Sequence, residues 1–277
     1  MSYADRVERI QPSLTLKINA EAAAIQADHR GGDAVARLGA GEPDFATPDG
    51  VKRAAHQAID QGFTHYTAVD GYDGLKHAVR EKFRRDNDLH FQDDQILVTC
   101  GAKQALYDLC QTLLRPGDEA VVPRPYWVTY PAQVTLAEAQ TVYLDLDAED
   151  GYLPRAERLD AALTDATRLV FLNSPNNPTG RYIPKPELDA FIESMPAEVI
   201  VIIDEAYAEY ANEPDYPDAM SWVMKRPRTV VTRTFSKAFG LAASRVGYAV
   251  CDPAVADILN RFRDPFNVNA WGQVAAL

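Results

Sequence analysis

Seven short aliphatic runs set the strongest limit on how this chain can fold: Gln95–Thr99, Glu119–Val122, Thr141–Leu144, Arg168–Leu172, Val199–Ile203, Thr229–Thr232 and Val246–Val250. Each is too short for a core helix and rich in β-branched residues, so each reads as a buried strand. Amphipathic stretches separate most of them, at Lys103–Leu114, Val128–Ala137, Ala156–Leu163 and Lys185–Ser194, and two more helices are expected earlier, at Val51–Gln61 and Tyr72–Arg85. Strands alternating with helices predict an α/β fold: a doubly wound, mostly parallel seven-stranded sheet with helices on both faces. One connection is short. Only thirteen residues lie between Thr232 and Val246, close to the minimum for a crossover helix, so the last strand is free to run antiparallel.

The first forty-odd residues have a different texture. A short helix is expected at Ala20–Ala27, followed by the Gly31-Gly32 break and then by Gly39, Gly41 and Pro43. The expected organisation is an N-terminal arm with part of a small domain over residues 1–47, then one large domain over 48–277. The final residues read as a helix begun near Ala270 and still open at Leu277, which suggests a fragment whose small domain is incomplete.

The chain has 277 residues and a formal net charge of −12, which argues against a broad basic face for nucleic acid or an anionic membrane. The opening residues carry Asp5, Arg6, Glu8 and Arg9 with no apolar core, so no signal peptide is expected. The longest aliphatic run, Val199–Ile203, is far too short to span a bilayer. Cys100, Cys110 and Cys251 lack CxxC spacing and read as reduced, buried thiols of a cytoplasmic protein. The five histidines show no metal-binding pairing with carboxylates, so no metal site is expected.

Four polar clusters fall at or near the C-terminal ends of the expected strands, where open α/β sheets bind ligands. After Thr99, Gly101 lets the backbone approach a ligand, and the amides of Ala102 and Lys103 open a helix, which makes an anion pocket. Taken alone, that is an ordinary strand–Gly–helix turn. After Leu172, Ser174-Pro175-Asn176-Asn177-Pro178-Thr179-Gly180 is a stiff loop that aims amide side chains, or simply a rigid surface turn. Asp204 follows five aliphatic residues and needs a cationic partner, unless it merely caps a helix. Lys237 lies among Phe235, Phe239 and Leu241, where desolvation frees a nucleophilic amine; a snorkelling surface lysine is the common alternative. Together the clusters offer a Schiff-base amine, an acid for a pyridinium nitrogen, a Tyr and an Asn, and a phosphate cradle with Arg245. That inventory fits pyridoxal 5′-phosphate (PLP).

At these residues the sequence resembles the class I/II aminotransferases, which are fold type I PLP enzymes. The motifs are GAGEPDF at Gly39–Phe45, THYTAVDGYDGLK at Thr64–Lys76, PYWVTYP at Pro125–Pro131, SPNNPTG at Ser174–Gly180, IIDEAY at Ile202–Tyr207 and TFSKAFGLAASRVGY at Thr234–Tyr248. Six such motifs in order do not arise by chance. The resemblance implies that Lys237 carries the cofactor and shuttles the substrate proton, and that Asp204 pairs with the ring nitrogen. It implies Tyr207 and Asn177 at the phenolic oxygen, and Trp127 stacked on the ring. The phosphate falls to the amides of Ala102 and Lys103 with Thr234, Ser236 and Arg245. A tyrosine in the position of Tyr66 serves the neighbouring subunit's phosphate, which implies a homodimer. Gly41, with Trp127 and Asn177, would face the substrate, an amino acid or a 2-oxo acid. The family's carboxylate-gripping arginine lies far toward the C-terminus, and this chain stops before any such position, so poor turnover is expected of it.

GEPDF and PYWVTYP are similar to the bacterial aspartate/aromatic group. DEAYAEY, RTFSKAFGLA and DPFNVN at Asp264–Asn269 are closer to the histidinol-phosphate group. Transamination is the leading expectation. The same scaffold also serves β-lyases, decarboxylases and non-catalytic PLP-binding modules.

Overall fold

The computed structural model describes residues 3–28, 36, 39 and 41–277; the Gly31-Gly32 break and Ala40 of the GAGEPDF motif lie outside the described residues. The elements begin with α1 (Asp5–Glu8), α2 (Leu14–Asp28), α3 (Asp49–Asp60) and α4 (Asp73–Asn87). Strand β1 (Ile96–Thr99) leads into α5 (Ala102–Leu113), then β2 (Glu119–Arg124), α6 (Thr129–Leu136) and β3 (Gln140–Asp145). Next come α7 (Ala156–Leu159), β4 (Thr167–Asn173), α8 (Lys185–Glu193) and β5 (Ile200–Asp204). The chain continues through α9 (Met220–Lys225), β6 (Thr229–Thr234), β7 (Gly247–Val250), α10 (Pro253–Phe262) and α11 (Ala270–Ala275).

All seven expected strands are present. They form one sheet in the order β1-β7-β6-β5-β4-β2-β3. The pairs β2–β3, β2–β4, β4–β5 and β5–β6 are parallel. Strand β7 runs antiparallel to both β6 and β1, the direction that its short connection permits. Two reversals leave β1 pointing the same way as β6. The C-terminal ends of β1, β4, β5 and β6 and the start of β7 therefore share one edge of the sheet.

Side-chain alternation sorts the strands onto two faces. Val98, Val170, Val201, Ile203 and Val231 pack with α4, α8 and α9 in one buried cluster. Leu97, Phe171, Ile200, Ile202 and Val230 pack with α5, α6 and α10 in the other. The sheet is thus covered on both sides. By contrast α1 and α2 bury none of their residues, and Leu14 and Leu16 are exposed.

Several local expectations are corrected. Helix α2 is longer than Ala20–Ala27. Helix α7 stops at Leu159 rather than Leu163, because the chain turns at Thr164, whose amide donates to Thr167 Oγ1 at 3.0 Å, and enters β4. Helix α10 was not expected, although Asp252 caps it by accepting from the Ala254 amide at 2.9 Å and Pro253 opens its first turn. Helix α11 closes at Ala275 instead of running on through Leu277. Cys110 and Cys251 are buried as expected, but Cys100 is only half-buried because it borders the turn at Gly101. Among the described residues no helix is long and apolar enough to cross a membrane.

Candidate active site

The shared edge of the sheet holds a cavity of about 480 Å³. Of the residues expected to bind or act, Gly41, Ala102, Lys103, Trp127, Asn177, Asp204, Tyr207, Thr234, Ser236, Lys237 and Arg245 all line it. Tyr66 does not. It is 82% exposed and stacks on Phe266 at 4.4 Å between ring centroids, on a different part of the surface.

Each group is set by its element. Asp204 is the last residue of β5, on the face shared with Ile202, and it is buried. Its Oδ2 accepts from Tyr130 at 2.7 Å, and its Oδ1 accepts from the Ala206 amide at 3.1 Å and from Thr232 at 3.4 Å. Burial pushes this carboxyl above its ordinary value, while those three donors and the Lys237 charge pull it back. Tyr130 is itself buried, held between Phe171 (4.9 Å, stacked) and Trp127 (5.4 Å, edge-on).

Lys237 follows β6 in the turn after Ser236. Its Nζ donates to the Gly41 carbonyl, which ties the N-terminal segment to the site. The same segment is fastened again where Thr47 donates to the Gly240 carbonyl at 2.6 Å. The Lys237 ammonium also lies 5.4 Å from the centre of the Tyr207 ring. Asn177 donates to the Tyr207 hydroxyl at 3.1 Å. The Asn177 loop is anchored by Asn173, the last residue of β4. Its Oδ1 accepts from the Asn177 amide at 2.7 Å, and its Nδ2 donates to the Asp204 carbonyl at 3.0 Å. The Ser174-Pro175 and Asn177-Pro178 peptide bonds are cis.

The anion end is built around the start of α5. Gly101 has φ +71°, and a Cβ there would fall 2.6 Å from Arg245 Nη2. A Cβ on Gly247 would meet the Ala102 amide nitrogen at 2.6 Å, so bare glycine lets β7 pass beneath the turn. Free amides at the helix start then face the cavity, beside Ser236, whose hydroxyl accepts from Arg245 at 3.2 Å. Lys103 lies over the Trp127 ring at 4.7 Å, and its pKa is lowered, first by burial and then by the Arg245 and Lys237 charges.

Lys103, Lys237 and Arg245 therefore crowd one cavity, and none of them pairs with a carboxylate within 4 Å among the described residues. Such a trio calls for an anionic ligand. A buried carboxylate, an apolar aromatic wall and a phosphate-sized helix-start cradle complete a site that fits PLP. Sequence reasoning missed Tyr130 and Asn173. Tyr130 sits inside the PYWVTYP motif, but nothing local indicates that its partner is a carboxylate 74 residues away.

A mixed sheet with a lysine, an aspartate and an anion cradle at one edge defines the fold type I PLP-dependent class. The model for "Aminotransferase class I and II" matches residues 33–277, and the chain belongs to that family. It is 39% identical over 264 residues to an aspartate aminotransferase of Bacillus sp. (strain YM-2), covering 94% of this chain and 66% of that protein. An aspartate/prephenate aminotransferase of Nitrosomonas europaea is 37% identical, covering 100% and 70%. The crystal structure of the Rhizobium meliloti aspartate aminotransferase matches with TM-score 0.89 at 34% identity, over 99% of this chain and 70% of that one. The Thermus thermophilus aspartate aminotransferase with maleate matches with TM-score 0.89 at 35% identity, over 100% and 72%. The chain thus spans about two thirds of the length of these relatives. PLP is the cofactor of this family.

Proposed function

We propose that the protein is a PLP-dependent transaminase that moves an amino group between a dicarboxylic amino acid of the aspartate type and a 2-oxo acid, acting as a cytoplasmic homodimer. The observation that carries this reading is the convergence of Lys237, Asp204 and the Asn177–Tyr207 pair on one cavity whose cations have no carboxylate partner among the described residues. Bound PLP supplies the electron sink that acidifies the substrate Cα–H. The chain's own residues do the rest. Lys237 Nζ takes up and returns the proton at Cα. Asp204, whose ionised form is favoured by three donors, holds a proton at the ring nitrogen. Tyr207 and Asn177 orient the phenolic oxygen, and Trp127 covers the ring. The α5 amides with Thr234, Ser236 and Arg245 hold the phosphate, while Gly41 faces the substrate carboxylate.

Within this reading residues 1–47 belong to an N-terminal arm and part of a small domain, and 48–277 to the large cofactor domain; the Gly41–Lys237 and Thr47–Gly240 contacts support it by fastening the end of that arm to the site. Tyr66, exposed and away from this chain's cavity, is free to serve a second subunit's phosphate. Two observations favour a dicarboxylate. The matched relatives bear the name aspartate aminotransferase, and one holds maleate. Lys103 also leaves a cation beyond those assigned to phosphate.

The test is a single-turnover reaction of the PLP-loaded protein with aspartate, tyrosine or histidinol phosphate, with no 2-oxo acid present. The expected result is one equivalent of oxaloacetate from aspartate, with turnover resuming when 2-oxoglutarate is added. Continued release of pyruvate or carbon dioxide without an acceptor would mark a lyase or decarboxylase instead.

A further inference from the structure

The strand alternation that turns Asp204 and Thr234 toward the cavity turns their chain neighbours Glu205 and Arg233 to the opposite face, beside Ile203 and Val231. Both are buried: Glu205 is 1% and Arg233 7% exposed. They meet as a two-pronged pair, Arg233 Nε to Glu205 Oε2 at 2.8 Å and Nη2 to the same oxygen at 2.7 Å. Arg233 Nη1 reaches Glu209 at 3.4 Å, and its guanidinium lies 5.3 Å from the centre of the Phe83 ring on α4. The Tyr216 hydroxyl lies 3.2 Å from Glu205 Oε1 and 3.0 Å from the carbonyl of Ser174, at the root of the Asn177 loop. Tyr248 on β7 and Asp218 before α9 also feel the Arg233 charge.

One cluster thus ties the ends of β4, β5 and β6, the three strands that present Asn177, Asp204 and Lys237. We propose that Glu205 and Arg233 are positioning residues, a buried ion-pair brace behind the sheet that holds Asp204 and Lys237 in place and sets the charge they experience. The brace rests on the reading of Lys237 and Asp204 as the cofactor-holding pair. A buried ion pair contributes little net stability compared with apolar residues of the same volume, so stability alone gives weak reason for it. Its charge sum has a use. Glu205, Glu209 and Asp218 all face Arg233 behind the site, so the carboxylates there outnumber the one guanidinium. Buried Glu205 has its carboxyl pushed up by burial and drawn back by Arg233.

The readout is the pH midpoint of the visible absorbance of PLP bound at Lys237, recorded beside the thermal midpoint. Glu205→Gln keeps the shape and removes one negative charge, so protonation at the Lys237 nitrogen should become harder and the midpoint should fall by about half a pH unit or more. Glu209→Gln, at a more exposed position, should move it the same way by less, and it carries the test if Glu205→Gln does not fold. The double variant E205Q/R233M removes both charges and should return the midpoint to the parent value. Midpoints unmoved in both single variants, even with lowered thermal stability, would reduce the pair to packing and overturn the proposal. So would a double variant that keeps the shifted value. A parent protein with no PLP absorbance at Lys237 would instead overturn the cofactor reading on which the brace rests.

Discussion

At the scale of single residues, the role proposed for Asp204 needs its carboxyl ionised, and burial opposes that. Tyr130 is the donor closest to that carboxyl, with a 2.7 Å bond to Asp204 between two buried side chains. Removing a buried partner costs about 1–3 kcal/mol. Tyr130→Phe should therefore push the Asp204 carboxyl further up. In the role proposed for Asp204 only its ionised form holds the ring proton, so the variant's PLP affinity should decline at a higher pH as the solution is acidified. Equilibrium PLP titration from pH 5 to 8 checks this, and an affinity profile superimposable on the parent's would contradict it. Asp204→Ala is the harsher case: covalent capture at Lys237 persists, and single-turnover rates should fall by several orders of magnitude, roughly 10³-fold or more. The chemically distinctive residues were legible in the sequence, because lysine among phenylalanines and aspartate after five aliphatics are locally odd. Tyr130, Asn173 and the Glu205–Arg233 pair were not. Their meaning lies in partners 28 to 74 residues away along the chain.

At the scale of elements, the buried strands could be read because each is a β-branched run that nothing but a covered sheet can accommodate. The strand order could not, since it depends on which helix crosses which face. Helix α10 is easy to pass over although its Asp252-Pro253 start is an ordinary helix signal, and Ala161 and Ala162 extend the helical pattern of α7 past Leu159, although the chain is already heading into the turn that Thr164 and Thr167 close. Asp108 on α5 and Arg263, the residue just past α10, are both buried, and Asp108 feels the Arg263 charge. Burial lifts the Asp108 carboxyl to about 7, against the pull of Arg263. The folded chain then binds this proton more tightly than the unfolded chain, where the carboxyl titrates near its ordinary value of about 4. Between those values the native state holds more protons, so the stability that Asp108 contributes is complete below about pH 4 and is lost as pH rises toward 7. Asp108→Asn should abolish that loss. Its thermal or denaturant stability relative to the parent should be higher at pH 8 than at pH 5, by on the order of 1–2 kcal/mol. An equal difference at both pH values would refute the assignment.

At the scale of the whole molecule, a chain of net charge −12 concentrates in one cavity three cations that pair with no carboxylate among the described residues. Anionic ligands are thus attracted to a local positive site within a repelling surface, and on-rates for dicarboxylates should respond to ionic strength. Tyr66 belongs to this scale too. If it completes a second subunit's phosphate site, PLP retention and self-association are linked, and dilution to monomer should release cofactor. Sedimentation over a range of concentrations, followed at the PLP absorbance, reads both quantities at once; a monomer that holds PLP as firmly as the dimer would contradict the link. The most direct test concerns the claim that the sheet edge presents one lysine to the cofactor. The chain has eight lysines, and two of them, Lys103 and Lys237, line the cavity. Borohydride reduction of the PLP-loaded protein followed by peptide mapping distinguishes them. The account predicts one pyridoxyl group per chain, on the peptide containing Lys237, whereas label on Lys103 or on any other lysine would contradict it.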